Sequence, residues 1–406
     1  MLRPVIFHID VNSAYLSWTA VEEKKHGIER DLREIPAIIG GDQESRHGVV
    51  LAKSIPAKRY GVRTGEPVVS ALRKCPDLVM EPPNHKMYHE YSSKLMQFLY
   101  SYTPDIEQVS VDECYMEFTG IAHLYQSTVE AAVMMKDAVR EKFGFTVNIG
   151  ISSNKLLAKM ASDFEKPDKV HTLFPEEIRE KMWPLPVSEL YMAGKSSVLT
   201  LGKLEIKTIG DLAKADPKLL ELHLKSHGRM LWEFANGIDD SEVQSKRQEA
   251  KGIGNSTTLS RDVESEAEAR KILLTLSESV GKRLRDAGQK ASMVSVEIKY
   301  NTFQKVSHQK QLLKATHSDD AVYKAACELF GELWNGQPIR LLGIRTSKLK
   351  NESDPEQMTI FDIVELESEK AADEKHSKAE AAMDALNKRF GENAVMRGAF
   401  LNHKKV

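Results

Sequence analysis

Residues 110–120 read SVDECYMEFTG, and they place the acidic pair Asp112-Glu113 inside an otherwise apolar stretch. The flanking segments Ile106–Val111 and Cys114–Phe118 have the composition of two strands. Adjacent residues of a strand point to opposite faces of a sheet, so both carboxylates can serve one site only if the backbone turns between them. The stretch therefore predicts a tight hairpin at Ser110–Glu113 with an acidic tip.

A third carboxylate ends the first apolar run of the chain. Val5–Ile9 (VIFHI) predicts a buried strand that closes at Asp10, where an ionised carboxylate is costly unless it is paired or bound to a metal. Three convergent carboxylates with open positions suit two Mg²⁺ ions, which would activate a hydroxyl nucleophile and neutralise a leaving pyrophosphate. The alternative is that Asp112 and Glu113 are turn residues and Asp10 a helix N-cap. That alternative leaves the acidic pair within an apolar stretch unexplained.

The pattern around these carboxylates alternates between strands and helices. Such alternation predicts an α+β layer architecture. The predicted elements are helices at Asn12–Glu23, Val68–Lys74, His85–Tyr102, Val129–Phe143 and Asn154–Phe164, and strands at Ala37–Gly40, Val49–Ala52 and Thr146–Ser152.

The second half of the chain changes character twice. Phe174–Asp240 is wholly helical in pattern, and the polar segment Asp240–Lys251 predicts a linker. Gly252–Lys350 returns to α+β, and a charged helix is predicted at Glu367–Phe390 in the tail. The elements predicted between linker and tail are helices at Ala267–Asp286 and Ala321–Trp334, and strands at Met293–Tyr300, Lys305–Leu312 and Arg340–Lys348.

Length and composition exclude several classes of protein. A chain of 406 residues predicts two to four domains. No apolar run approaches a membrane span of about 18–20 residues, and the first residues leave no room for a signal peptide. The 3 cysteines lack any CxxC pair, which argues against a disulfide framework or a zinc site. We expect a cytoplasmic protein without a membrane partner.

The formal net charge of −2 conceals an uneven distribution of charge along the chain. Basic residues outnumber acidic ones in 252–350, whereas acidic residues outnumber basic ones in 351–406. Nucleic-acid binding responds to a local patch rather than to the total charge. The segment 252–350 is therefore a candidate DNA-binding region, with an ordinary solvated surface as the alternative.

Four segments resemble the signature blocks of Y-family DNA polymerases, closest to the bacterial DNA polymerase IV group. They are HIDVNSAYLSW (8–18), GVVLAKSIPAKRYGVRTGEP (48–67), SVDECYMEFTG (110–120) and NIGISSNKLLAKMASDFEKPD (148–168). The resemblance continues in order through about 350 residues. It implies an α+β right-hand fold: a palm (1–12 and 77–166), small fingers (13–76), a helix-hairpin-helix thumb (167–240), a linker (241–251), a little finger (252–350) and a C-terminal segment (351–406).

The resemblance also implies roles for individual residues in binding two Mg²⁺ ions and a dNTP. The implied metal ligands are the side chains of Asp10, Asp112 and Glu113 and the backbone carbonyl of Val11. The residue implied as steric gate against ribonucleotides is Tyr15, and the other residues implied to contact the nucleotide are Ser54, Lys58 and Lys166. The chain departs from the common pattern at Asn12, Ala14, Ile55 and Lys58, which affects nucleotide contacts rather than the metal ligands.

Contacts with primer-template DNA and with a sliding clamp follow from the same resemblance. The candidate DNA-binding residues are Gly194, Lys195, Thr257, Arg261, Lys299 and Lys305, where ordinary solvated residues are the alternative. In the thumb hairpin, Met192 stands where the family usually has glycine. The segment 357–361 resembles the peptide that docks into the bacterial sliding clamp, through Gln357, Met358, Ile360 and Phe361. A strand or loop that packs on its own domain is the alternative.

The favoured function is template-directed DNA synthesis of low fidelity and low processivity, by a monomeric translesion polymerase. A non-catalytic clamp-binding adaptor is disfavoured because all three carboxylates and Lys166 are present. A metal-dependent nuclease would have no use for the steric-gate block. A nucleotidyl cyclase would have none for the thumb, the little finger and the clamp peptide.

Overall fold

The computed structural model describes residues 3–41, 48–246, 250–351, 379–391 and 394–398. Within these ranges the chain forms two compact units, one on each side of residues 247–249. The segment 357–361 lies outside the described residues. No helix in the described ranges is long and apolar enough to cross a membrane.

A five-stranded sheet forms the centre of the first unit. Its strand order is β5-β6-β1-β7-β8, and β1 is antiparallel to both of its neighbours. These strands are β1 (Ile6–Val11), β5 (Ile106–Gln108), β6 (Glu113–Glu117), β7 (Val147–Ser152) and β8 (Val170–Thr172), and a smaller sheet of order β3-β2-β4 contains β2 (Ala37–Gly40), β3 (Val50–Lys53) and β4 (Val79–Glu81).

The two faces of the five-stranded sheet differ in chemistry because side chains alternate along each strand. Phe7, Ile9 and Val11 of β1 enter a large apolar core. Helices α1 (Ala14–Lys25), α4 (His85–Tyr100) and α5 (Thr128–Phe143) also contribute residues to that core, whereas α2 (Ile55–Arg59) and α3 (Val68–Lys74) pack on the smaller sheet. The opposite face, which we call the carboxylate face, bears His8 and Asp10.

Helix α6 (Lys155–Ser162) lies against the carboxylate face because Gly150 of β7 has no side chain. A Cβ atom at position 150 would lie 2.0 Å from the carbonyl oxygen of Ala158 and 2.4 Å from the backbone nitrogen of Ser162. The glycine therefore permits the close approach that brings α6 side chains over the sheet. This packing decides which side chains surround Asp10.

The remainder of the first unit is helical, as predicted. A 3-10 turn at Pro175–Glu177, a π-helical turn at Ile178–Met182 and a 3-10 turn at Val187–Glu189 precede four short helices. These helices are α7 (Lys195–Lys203), α8 (Ile209–Lys214), α9 (Pro217–Leu224) and α10 (Ser226–Ala235), and their apolar residues share one core with α6.

The second unit is a four-stranded antiparallel sheet with two helices on one face. Its order is β11-β10-β12-β9, and the helices are α11 (Glu266–Asp286) and α12 (Asp319–Leu333). The strands are β9 (Gly252–Val263), β10 (Gln289–Tyr300), β11 (Lys305–Thr316) and β12 (Ile339–Asn351). The sequence prediction missed β9, because Gly254, Asn255 and Ser256 interrupt the apolar alternation that identifies a strand.

Residues 379–390 of the tail are helical, which is the described part of the helix predicted at Glu367–Phe390. Glu380 is almost fully buried against the second unit, where it accepts a hydrogen bond of 3.0 Å from the backbone nitrogen of Asp319. Its carboxylate also lies 3.4 Å from Nη1 of Arg285. The tail is thus attached to this unit by charged groups.

Candidate active site

Asp10 and Glu113 lie directly opposite each other on the central strands β1 and β6. Side chains of directly opposed residues project from the same face of an antiparallel pair, here the carboxylate face. The third carboxylate is adjacent, since the backbone nitrogen of Val11 donates a 3.0 Å hydrogen bond to the carbonyl oxygen of Asp112. The backbone thus brings together the three predicted acidic residues, although 102 positions separate Asp10 from Asp112 in the sequence.

The chain turns at 109–112, as the sequence argument required. The carbonyl oxygen of Glu113 accepts hydrogen bonds from the backbone nitrogens of Val109, at 3.1 Å, and Ser110, at 3.3 Å. The Ser110 hydroxyl donates to Oδ1 of Asp112 and accepts from the backbone nitrogens of Asp112 and Glu113, both at 3.2 Å. One small polar side chain thus holds the acidic tip in a fixed conformation.

Each of the two opposed carboxylates has a lysine partner. Nζ of Lys159 lies 2.6 Å from Oε2 of Glu113, and Nε2 of His8 lies 3.3 Å from the same oxygen. The His8 ring and the Lys159 ammonium hold the pKa of Glu113 down at about 2, so this carboxylate is ionised at neutral pH. Lys166 forms an ion pair with Oδ2 of Asp10. Burial nevertheless raises the pKa of Asp10, with Lys166 acting in the opposite direction.

Asp163 connects the two lysines. Its carboxylate lies 2.8 Å from Nζ of Lys166 and 3.9 Å from Nζ of Lys159. Asp163 directly follows the last residue of α6, so the residue at the C-terminal end of this helix contacts both lysines. A continuous chain of alternating charges therefore runs Glu113, Lys159, Asp163, Lys166, Asp10.

Asp10, Asp112 and Glu113 suit a divalent cation such as Mg²⁺ by donor chemistry, because all three present carboxylate oxygens. In the described ranges, however, no three His, Cys, Asp or Glu side chains are gathered closely enough to hold an ion. The physical reason is visible in their partners: Lys159 holds Glu113, Lys166 holds Asp10, and Ser110 holds Asp112. The backbone brings the three acidic residues together, but their carboxylates contact Lys159, Lys166 and Ser110 rather than a common point.

Tyr15, the predicted steric gate, lies in the first turn of α1, beyond the end of β1. Its ring stacks on Tyr88 of α4 with 4.3 Å between centroids and 7° between planes. Burial of the Tyr15 hydroxyl raises its pKa, and the negative charge of Asp112 acts in the same direction. The half-buried ring is therefore held in place by its stack on Tyr88.

Two predicted nucleotide contacts, Ser54 and Lys58, follow strand β3, and Ser54 has a structural role. Its buried hydroxyl donates to the carbonyl oxygen of Ile35 at 2.7 Å, and it accepts from the backbone nitrogens of Ala37 and Ala57. It caps α2 and anchors β2, so it presents no hydroxyl to a nucleotide. Lys58, in the last turn of α2, is exposed.

The predicted DNA-binding residues of the second unit lie on different surfaces. Lys299 and Lys305 are paired across β10 and β11 on the face opposite α11 and α12. Thr257 is opposite the buried Leu342, so its side chain lies on the helix-covered side, and Arg261 is exposed and pairs with Glu268 at 2.7 Å. The face of the sheet on which Thr257 lies could not be predicted, because the sequence pattern did not identify β9.

In the helical region, Gly194 is the N-cap of α7 and Lys195 its first residue. Met192 adopts a left-handed φ of 68°, a conformation that favours glycine. The backbone of the hairpin therefore retains the glycine-type geometry without the glycine.

Two matches to family models cover most of the chain. Residues 9–163 match the impB/mucB/samB family, and residues 250–360 match the C-terminal domain of that family. The chain is 47% identical to a DNA polymerase IV of Clostridium acetobutylicum over 404 residues, covering 100% of both chains. It is 34% identical to a DNA polymerase IV of Clostridium kluyveri over 406 residues, again covering 100% of both. The fold matches a solved Y-family DNA polymerase chimera, Dbh-Dpo4(243-245)-Dbh, with a TM-score of 0.74 at 20% identity, covering 86% of this chain and 99% of that chain.

The fold is that of a right-hand polymerase with palm, fingers, thumb and little finger, and Asp10 and Glu113 lie on central strands of the palm sheet. The chain belongs to the Y family of DNA polymerases, in the DNA polymerase IV group. It is a DNA-directed DNA polymerase of the translesion class, acts on DNA and dNTPs, and shares the family's use of divalent metal.

Sequence reasoning missed His8, Lys159 and Asp163 as residues of this site. Lys159 and Asp163 lie inside the quoted block 148–168, and His8 begins the block 8–18. His8 could have been found, because it precedes Asp10 by two residues and therefore shares its face of the strand. The contacts of the other two residues depend on how α6 packs on the sheet, which local sequence does not reveal.

Proposed function

We propose that this polymerase adds nucleotides by two-metal nucleotidyl transfer at Asp10, Asp112 and Glu113, with Mg²⁺ as the physiological ion. The observation that carries the proposal is the opposition of Asp10 and Glu113 on adjacent strands, with Asp112 bonded through its backbone to Val11. The ligands would be these three carboxylates and the Val11 carbonyl. Bound divalent cations supply charge neutralisation on the triphosphate and acidify the primer 3′-hydroxyl.

The chain's own residues position the incoming nucleotide in this proposal. Lys166 and Lys58 supply positive charge to the triphosphate, as point charges rather than as bidentate partners. The ring of Tyr15 crowds the sugar 2′-position and excludes ribonucleotides. Its stack on Tyr88 prevents the ring from moving aside to admit a 2′-hydroxyl. Ser54 is left out of the nucleotide site because its hydroxyl is buried and fully bonded.

Low fidelity and low processivity are part of the same proposal. The residue at position 55, on the exposed surface of α2, is isoleucine, which cannot donate a hydrogen bond to the nucleotide. A site rejects a wrong substrate most strongly when that substrate leaves buried polar groups of the site without a hydrogen-bond partner. A site with fewer hydrogen bonds to the nucleotide therefore discriminates less between nucleotides. DNA would be held through backbone contacts from the α7 N-terminus at Gly194-Lys195 and from Lys299, Lys305 and Arg261.

A sliding-clamp contact through Gln357, Met358, Ile360 and Phe361 is proposed from sequence alone, because these residues lie outside the described ranges. Tethering to a clamp offsets weak intrinsic affinity for DNA by raising the effective concentration. The test is clamp-dependent extension by the wild type and by Phe361→Ala. Clamp stimulation that survives the change would contradict the proposal, and Tyr100→Ala at an exposed palm position serves as the control.

The experiment that tests the polymerase proposal is primer extension with Mg²⁺ on four templates that differ in one base, each with single dNTPs. We expect addition of the complementary nucleotide, with frequent mismatches, and dissociation after a few additions. Tyr15→Ala should raise ribonucleotide incorporation at least tenfold over Tyr100→Ala. Extension that ignores the template base, or no extension by folded protein, would overturn the proposal.

A further inference from the structure

Two of the three palm carboxylates are already paired with the chain's own lysines. Lys159 occupies Oε2 of Glu113, and Lys166 occupies Oδ2 of Asp10, the two positions where a cation would be expected. Three carboxylates close together repel one another strongly in a partly buried site, because the effective dielectric constant there is far below that of water. The two lysines reduce this repulsion as long as no metal is bound.

We propose that Lys159 and Lys166 are built-in counter-ions of the metal-free site, and that Lys166 must leave Asp10 before a metal can bind to that carboxylate. This inference rests on the proposed function, since it takes Asp10 and Glu113 as the metal ligands. In this proposal, nucleotide binding includes an exchange in which a metal ion replaces Lys166 at Asp10. The triphosphate draws Lys166 away, and the oxygen of Asp10 thereby becomes available to the cation.

The two lysines are suited to different parts in this exchange. The side chain of Lys159 is 15% exposed, belongs to the rigid helix α6, and shares its carboxylate oxygen with His8. The side chain of Lys166 is 35% exposed and lies beyond the helix end. Lys159 therefore remains on Glu113 as a positioning residue, whereas Lys166 is free to move.

Asp163 lowers the barrier for that movement. It lies 2.8 Å from Nζ of Lys166 and is 47% exposed, so it can hold the ammonium while the contact with Asp10 breaks. A lysine with a second partner does not have to pass through an unpaired state, which would be costly in a partly buried site. The arrangement couples metal affinity to the presence of nucleotide, because Lys166 leaves Asp10 most readily when a triphosphate accepts it.

The test is Mn²⁺ binding to the full chain without DNA or nucleotide, followed by electron paramagnetic resonance of the free ion. Lys166→Met should lower the apparent Kd for Mn²⁺ at least threefold, because the competing cation is gone. Lys169→Met is the matched control, since Lys169 is in the same segment but pairs with the exposed Glu165. An unchanged or higher Kd in Lys166→Met, or an equal effect of Lys169→Met, would overturn the inference.

Thermal unfolding of metal-free protein tests the part of Lys159. Lys159→Met and Lys155→Met are matched, because both lysines are on α6, are 15% and 13% exposed, and pair with a half-buried glutamate. Both variants should lose stability, but added Mn²⁺ should restore the Tm of Lys159→Met only. Equal restoration in both variants, or none in Lys159→Met, would contradict the counter-ion role.

Failure of the inference and failure of the proposed function give different results. If Asp112 and Glu113 are not metal ligands, the wild type and Asp112→Ala-Glu113→Ala will bind Mn²⁺ equally. If the ligands are right but the counter-ion exchange is wrong, the double variant will lose Mn²⁺ binding while Lys166→Met will match the wild type.

Discussion

The palm and the little finger each contain a partly buried cluster of charged residues, and the two clusters use different cations. In the palm, Asp10 and Glu113 are paired with Lys166 and Lys159. The second, which we call the little-finger cluster, contains Glu278, Arg285, Asp319, Glu380, Asp384 and Arg397. Acids are thus held by lysines in one place and by arginines in the other.

The arginine contacts of the little-finger cluster are multiple and directional. Nη1 of Arg285 donates to Oδ1 of Asp319 at 2.8 Å and to the carbonyl oxygen of His317 at 2.9 Å, while Nε pairs with Asp384 at 2.7 Å. Gly281 permits this approach, because a Cβ there would lie 2.0 Å from Oδ1 of Asp319. Burial raises the pKa of Asp319 to about 6, with Arg285 acting in the opposite direction.

Lysine and arginine differ in how readily another cation can replace them. A guanidinium fork bonds several acceptors at once and keeps its charge, whereas an ammonium is a compact point charge that another cation can replace. The lysines therefore suit a site where metal and triphosphate must enter. The arginines suit a permanent attachment of the C-terminal tail to α11 and α12.

The largest expected effect is on catalysis in the palm. Asp10→Asn keeps the shape of the side chain but removes a charged metal ligand, so single-turnover nucleotide addition should fall at least about 1000-fold. The Tm should change little or rise, because burial of the charge is unfavourable. Rapid-quench kinetics and calorimetry measure both quantities, with Glu90→Ala on the exposed face of α4 as the control. Addition within tenfold of the wild type would refute the ligand role of Asp10.

The second effect is on stability in the little finger. Arg285→Met leaves Asp319 and Glu380 buried without their main cation, which should lower the free energy of unfolding of this unit by about 3–5 kcal/mol. Urea unfolding followed by tryptophan fluorescence measures the change. Arg270→Met, on the same helix but paired with the exposed Glu266, should cost well under about 1 kcal/mol. Equal costs for both variants would show that the cluster does not hold the tail.

An exchange of cation type tests the comparison itself. Lys166→Arg keeps the positive charge but offers Asp10 a fork that holds it more firmly, so nucleotide addition should slow about tenfold. Mn²⁺ affinity without nucleotide should decrease in the same variant. Steady-state kinetics and Mn²⁺ titration provide both values, and a rate equal to that of the wild type would mean that lysine has no special advantage at this position.

The converse exchange is expected to have the smallest effect. Arg285→Lys keeps the charge but cannot contact Asp319, Asp384 and the His317 carbonyl together, and should cost about 1–2 kcal/mol of stability. Its polymerase activity should match that of the wild type. Urea unfolding measures the loss of stability, and primer extension measures the activity. A loss as large as that of Arg285→Met would contradict the claim that the positive charge of Arg285 provides most of the stabilisation.

The sequence alone was sufficient for the parts of this picture that are local. Asp10 at the end of an apolar strand and Asp112-Glu113 between two strands predicted the acidic turn, and periodicity located most helices within a few residues. The lysine partners could not be predicted, because they depend on α6 resting on Gly150. The face of the sheet on which Thr257 lies could not be predicted either, since β9 lacks a clear alternation of apolar and polar residues. The local sequence pattern locates helices, strands and charged residues, whereas the contacts between distant side chains depend on how the helices pack on the sheet.

Whether the palm carboxylates carry out nucleotide addition is tested by a single-turnover incorporation assay with Asp112→Ala-Glu113→Ala, after circular dichroism has shown that the variant is folded. The account predicts no product above background over a time in which the wild type extends every bound primer, at any Mg²⁺ or Mn²⁺ concentration. Product formed at the wild-type rate would contradict it, because the chemistry would then take place away from the palm carboxylates.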